Sequence, residues 1–293
     1  KCRRKFTYDI LDRGFNMLSQ QPKKLSEWVN FLTRSEIPVL KQTDRNLEIL
    51  KQDDQHLSAR SVAHVVKYDP LMTVKLLRYL LEHKHRCQEH DVVEVEQIIL
   101  MIGLETTLNK VPSKPLAEDI LHDDMNALVC LLKVAHRANI AAAYAFDWAV
   151  RLHDLHYEAI RIATLLHDIS EMLMWCFAPN EMLQVNNLKK QNKAMRSTVA
   201  QEQVFGFSLN QLQLELAIKW KLPQLLITLM DDSCSSLQRV RNVALAVNLA
   251  RHSANGWDDA ALPDDYEDIA RLLHMHASEI MLIVGANKQH DNH

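Results

Sequence analysis

The stretch from Ala163 to Phe177, ATLLHDISEMLMWCF, constrains this chain more than any other. It is apolar around almost the whole helical circumference, so a helix built from it has to be buried on nearly every side. The run is interrupted by one adjacent ionisable pair, His167 and Asp168. Unpaired buried charge is costly, so the pair demands partners. Either those partners include a metal ion, or the pair is a structural hydrogen-bond node.

The surrounding helix has to pack against other helices. Only five glycines occur in 293 residues, against the ~7% of average usage. Glycine supplies the positive-φ turns of hairpins and phosphate loops, so their scarcity argues for helices on short connections and against a nucleotide cradle. The expected fold class is all-α. With 47% hydrophobic residues a chain of this length buries a sizeable core. The net charge of −3 gives no broad nucleic-acid footprint, and the opening KCRRK is too short and isolated to supply one. Cys2, Cys87, Cys130, Cys176 and Cys234 are scattered without a CxxC pair, which suggests free thiols in a reducing compartment. Asp168 and Glu171 break the one strong apolar run, and no secretory leader is visible, so the expectation is a cytoplasmic protein without membrane insertion.

Helical spacing recurs along the chain. Phe6, Ile10, Phe15 and Leu18, then Trp28, Phe31 and Leu32 behind Ser26, form a helical lead-in over residues 1–35. IPVL (37–40) is an extended entry, because Ile37 precedes a proline. Asp44, Ser58 and Pro70 start three helices, and Gly103 stops the one carrying Val95, Ile98, Ile99 and Ile102. Pro112 and Pro115 mark a junction. A long helix then runs from Asp124 to about His153, with small residues at its centre, followed by one helix over 157–177. A helix over 179–193 ends on Lys189, Lys190 and Lys193, lysines that complement its dipole. Further helices follow Ser208, Pro223 and Ser235, and a last one starts at Ser278.

Imidazole beside carboxylate suits Mn, Fe, Mg or Zn, and a bound metal could activate water for phosphoester hydrolysis. The dipeptide alone is weak evidence, since further ligands must come from neighbouring helices. The structural alternative has Asp168 pairing a cationic neighbour and His167 bonding a backbone carbonyl. Asp231-Asp232 reads as loop-capping chemistry, Trp175 and Trp220 as core, and Cys176 as an inert buried thiol. Trp257, in an acidic loop, is a candidate partner contact or a loop anchor. His83, His85 and Arg86 read as a solvent-facing basic turn. No Ser-His-Asp or Cys-His nucleophile and no Walker or dinucleotide loop is present.

LLHDISEMLMWCF resembles the central segment of the HD superfamily, and its surroundings resemble the HDOD branch. DPLMTVKLLRYL (Asp69–Leu80), VEVEQIILMIGLE (Val93–Glu105) and LAIKWKLPQLL (Leu216–Leu226) fall in the order that branch has. The likeness covers roughly residues 36–284. It implies an HDOD domain over 36–285, divided into 36–113 and an HD-like part over 114–285, with a disordered tail over 286–293.

Catalytic members of the HD superfamily supply a further histidine and a distal aspartate. By the resemblance these positions fall at about Ala138 and Asn248, and auxiliary histidines fall near Leu209 and at Asp231-Asp232. The nearest histidine to Ala138 is His136, about 200° round the helix. His252, one turn after Asn248, is the best rescue ligand. A neutral amide replaces no carboxylate charge at a divalent cation. The resemblance therefore implies a non-catalytic bacterial signalling module with a degenerate cleft at His167, Asp168, Asn248, His136 and His252. It would need no cofactor and would bind a protein partner, or a nucleotide or other small ligand, but no nucleic acid. The alternatives are a Mn-, Fe- or Mg-dependent phosphohydrolase of nucleotides or cyclic dinucleotides, with His167 and Asp168 as ligands, and a nucleotide sensor.

Overall fold

The computed structural model describes residues 22–53, 55–83, 92–192 and 195–286. KCRRK, the apolar pattern of residues 6–20, His85, Arg86, Lys193 and the tail after Ala286 lie outside the described residues. Within them the chain is all-α. The single extended pairing among the described residues is an isolated parallel bridge between Val39 and Leu116.

Seven helices lead to the central one: α1 (Leu25–Arg34), α2 (Lys41–Lys51), α3 (Ala59–Val66), α4 (Pro70–Glu82), α5 (Val95–Ile102), α6 (Leu104–Lys110) and the short α7 (Ala117–Ile120). The central rod is α8 (Met125–Arg151), 27 residues long. Beyond it come α9 (Tyr157–Leu166), α10 (Ile169–Phe177), α11 (Pro179–Gln191), α12 (Ser197–Phe205), α13 (Leu209–Lys219) and α14 (Gln224–Leu229). The last three are α15 (Gln238–His252), α16 (Leu262–Leu273) and α17 (Ala277–Val284).

Local chemistry starts and stops these helices. Asp69 caps α4 by accepting from the N–H groups of Leu71 and Met72, and Pro70 opens its first turn. Asp124 caps α8 through the Ala127 N–H, and Ser208 with Gln211 makes a capping box on α13. Gly103, at φ +92, separates α5 from α6 in a conformation that an L side chain rarely adopts. Four starts differ from the sequence reading: α1 begins at Leu25, which puts Ser26 inside its first turn, α2 at Lys41, α15 at Gln238 and the last helix at Ala277. Asp44 instead lies in the first turn of α2, where its carboxylate receives the Lys114 ammonium at 2.7 Å.

The rod is placed by its small residues. Ala135, Ala138, Ala141, Ala142, Ala145 and Ala149 are all buried, and α9, α10 and α15 lie directly against α8. Short side chains let those backbones approach closely without leaving voids. Trp148, Trp175, Leu131 and Ile160 are fully buried among them.

The expected single helix over 157–177 is two helices. α9 ends at Leu166 and α10 begins at Ile169, and the His-Asp pair occupies the break. The two ionisable residues thereby leave the apolar circumference that a continuous helix would have given them. They sit at a corner where side chains from α8, α15 and the turn before α15 converge.

Candidate functional site

Asp168 is the N-cap residue of α10, yet its carboxylate makes no capping hydrogen bond. It is turned instead toward cations. The Arg137 Nη2, from α8, donates to Asp168 Oδ2 at 2.7 Å and to Glu171 Oε2 at 3.1 Å. Arg251, from α15, approaches Asp168 Oδ1 at 3.6 Å. The cap that Asp168 gives up is supplied by Gln213, whose Oε1 accepts from the Ser170 N–H at 3.1 Å. The same amide donates to the Leu166 carbonyl at 2.6 Å, so Gln213 closes both sides of the break.

His167 is 6% exposed. Its Nδ1 lies 3.2 Å from Asp168 Oδ1, and its Nε2 lies 3.3 Å from Asp232 Oδ1. Burial opposes a charged imidazole, but the hydrogen bonds and charges of Asp168 and Asp232 outweigh it, and the pKa is raised to about 9. At neutral pH the ring is an imidazolium that donates from both nitrogens. Burial alone would raise the Asp168 carboxyl, but His167, Arg251 and Arg137 hold it well below the usual range. Asp232 is lowered as well, chiefly by its bond to His167. Its other oxygen accepts from the Asn210 amide at 3.0 Å.

These residues line a cavity of about 440 Å³, within the usual size of small-molecule pockets. Lys189, Asn186, Ser197, Thr198, Gln201 and Asn248 complete its polar lining, while Met182, Val185 and Val247 give it an apolar wall. Among the described residues no cluster of three or more His, Cys, Asp or Glu side chains is arranged as a metal site.

The donor set does not fit a divalent cation. Both ring nitrogens of His167 face carboxylates, at 3.2 and 3.3 Å, so a cation could take the imidazole only by displacing those contacts and the proton they hold. The carboxylate of Asp168 already faces two guanidinium groups, and a metal at that point would meet like charge. Ala138 is buried in α8 with no ligating group, and Asn248 offers at most a neutral amide oxygen.

The structure separates the other sequence candidates. His136 is exposed on α8 and does not line the cavity. His252 turns to α16, where its Nδ1 lies 2.6 Å from Asp265 Oδ2. Trp257 is half-buried and packs against the main core, and Trp175 and Trp220 are buried. Asp231 does cap its turn, through the Ser233 N–H and Oγ, but Asp232 belongs to the His167 node. The expected carbonyl partner of His167 is replaced by two carboxylates. The expected cationic partner of Asp168 is present twice, as Arg137 and Arg251. Lys189, read from sequence as a dipole partner at a helix end, also lines the cavity.

This all-helical frame, with a His-Asp pair at a helix break facing a polar cleft, accords with comparison to known families. The HDOD domain family matches residues 38–233. The chain belongs to the HDOD domain family. The MmoQ response regulator from Methylococcus capsulatus strain Bath shares 17% identity, with a TM-score of 0.63 over 86% of this chain and 98% of that one. A virulence factor from Campylobacter jejuni subsp. jejuni shares 18% identity, with a TM-score of 0.61 over 90% of this chain and 92% of that one. At such identities these likenesses establish the HDOD fold and nothing finer. No curated protein matches the sequence significantly. Among the described residues no helix is long and apolar enough to cross a membrane.

Proposed function

We propose that this HDOD protein is a non-catalytic bacterial signalling module, which acts by binding a protein partner or a small ligand without turning it over. The observation that carries this reading is the Arg137 guanidinium bonded to both Asp168 and Glu171. A tethered cation neutralises the carboxylates that a catalytic metal would need, and the neighbouring imidazole is held between two carboxylates. Hydrolysis of a phosphoester in such a site would need a metal-activated water or a free general base. His167, flanked by Asp168 and Asp232 and with its pKa raised to about 9, is a weak candidate for that base. The MmoQ protein is a response regulator, and a signalling role is carried to this chain as part of the proposal.

The competing reading, a metal-dependent phosphohydrolase, has in its favour the retained His167-Asp168 pair with Asp232 beside it. Metal analysis of the purified protein, together with a phosphohydrolase screen in Mn, separates the two. The expected result is metal well below stoichiometric and no turnover. Stoichiometric metal, with turnover that Asp168→Ala abolishes, would overturn the proposal.

A further inference from the structure

The ionisable groups around the cleft are unevenly matched. Asp168 is shared by His167, Arg137 and Arg251; Glu171 is held by Arg137; Asp232 is held by His167 and Asn210. Every carboxylate is therefore engaged, whereas the cations are not all used. Lys189 is half-buried, yet it makes no hydrogen bond or ion pair among the described residues. Arg251 touches a carboxylate only at 3.6 Å and leaves most of its planar fork open. Burial lowers the pKa of Lys189, against the pull of Glu171 and with smaller contributions from the nearby Arg251 and Arg137. A half-buried ammonium beside two guanidinium groups, attracted by Glu171 but in contact with no carboxylate, has donors that an anion in the cleft would take up.

The rest of the lining defines what carries that anion. The hydroxyls of Ser197 and Thr198 add donors, and Met182, Val185 and Val247 offer an apolar wall. A cavity of about 440 Å³ exceeds what a bare inorganic anion fills. We propose that the cleft between α11 and α15 binds a phosphorylated small molecule of mononucleotide size, its phosphate taken by Lys189 and Arg251 and its body lying against Met182, Val185 and Val247. This deepens the non-catalytic reading and rests on it in one respect, that the ligand is retained and not hydrolysed.

Calorimetric titration of the full chain with adenosine 5′-monophosphate, adenosine and inorganic phosphate tests the site. The monophosphate should bind about tenfold or more tightly than adenosine, because charge-assisted hydrogen bonds to the phosphate supply the difference. Lys189→Met and Arg251→Met should each weaken the monophosphate about tenfold while leaving adenosine unchanged. Far-UV circular dichroism checks that both variants fold, and the wild-type affinity should also fall as salt is raised. Inorganic phosphate that binds weakly and loses its binding in either variant would support the same assignment. Equal affinity for monophosphate and adenosine, unchanged affinity in Lys189→Met, or no binding of either phosphate-bearing probe would overturn it. Chromatography of the titrated mixture keeps the two readings apart. Release of adenosine would overturn the non-catalytic reading, and the affinities would still decide the ligand site.

Discussion

His167 is held as an imidazolium between two carboxylates, and that makes it a pH-dependent contributor to stability. Its folded-state pKa of about 9 lies above the ordinary 6.5. Protonation therefore favours the folded state: the contribution is complete below about 6.5 and is lost as pH rises through about 9. A rise of that size corresponds to on the order of 3 kcal/mol. The urea midpoint should fall across this window, and His167→Gln should flatten the slope while lowering stability at pH 6. A midpoint independent of pH in wild-type protein would show that the imidazole is neutral in the fold. On the acid side Asp168 and Asp232, both lowered, contribute above the usual carboxylate range and lose that contribution only as pH falls through their own lower values. Arg137→Ala leaves Asp168 and Glu171 facing each other across the α8–α10 contact without their shared donor. It should cost about 3 kcal/mol by chemical denaturation, because one partner of a largely buried pair is removed. Arg137→Lys should recover only part of this, since an ammonium on a shorter reach lacks the planar fork.

At the scale of elements, the decisive feature is the break between α9 and α10, and Gln213 is the residue that makes it tolerable. A helix interrupted in a buried place exposes a carbonyl and an N–H with no water to take them. Gln213 takes both, accepting from Ser170 and donating to Leu166. Gln213→Leu keeps the volume and removes both bonds, so it should cost about 3 kcal/mol. Hydrogen exchange at the Ser170 amide should accelerate more than the global loss of stability accounts for. The helix pattern was readable because its cause is local: periodic apolar residues, Pro70 at a helix start, Gly103 at a stop. The break was not, because the run from Ala163 to Phe177 is as apolar as a continuous buried helix and its interruption is sealed by a glutamine 43 residues away in sequence. The same holds for the site. The His-Asp pair stands out in the sequence and Asn248 is reached only through the family resemblance, whereas Arg137 looks like any surface cation until Leu131, Val134, Ala138 and Ala141 are seen to place it on the inward stripe of α8. Three residues after Asn248, rather than four, the chain puts Arg251 in the cleft, while His252 turns to Asp265.

Across the whole molecule, the two ends of the sequence's Pro112–Pro115 junction are laced together rather than left apart. The Val39 N–H donates to the Pro115 carbonyl at 2.9 Å, and the Ala117 N–H donates to the Val39 carbonyl at 3.0 Å. The buried Lys75 ammonium, from α4, donates to the carbonyls of Lys114 at 2.6 Å and Ile37 at 3.2 Å and pairs with Glu36 at 2.6 Å. The lead helix α1 reaches across in turn: Phe31 meets Phe177 of α10 edge to face at 5.5 Å, and Arg78 donates to the Thr33 carbonyl while lying over Trp220. One contiguous buried cluster runs from Trp28 through Leu77, Ala138 and Trp175 to Ile280. If helices α1–α7 and the helices from α8 onward shared only a polar contact, they would unfold separately; a continuous apolar core makes that costly, because either set alone would leave large buried surface exposed. Thermal or urea unfolding should therefore show one transition, with far-UV circular dichroism and tryptophan fluorescence coincident. Lys75→Met tests the coupling directly. It removes the donor of the Ile37 and Lys114 carbonyls, while the exposed Glu36 carboxylate returns to water, at about 2 kcal/mol, and both probes should shift together. A second transition appearing in that variant, with the fluorescence of Trp148, Trp175 and Trp220 unfolding at the unshifted midpoint, would mean that the helices from α8 onward stand on their own.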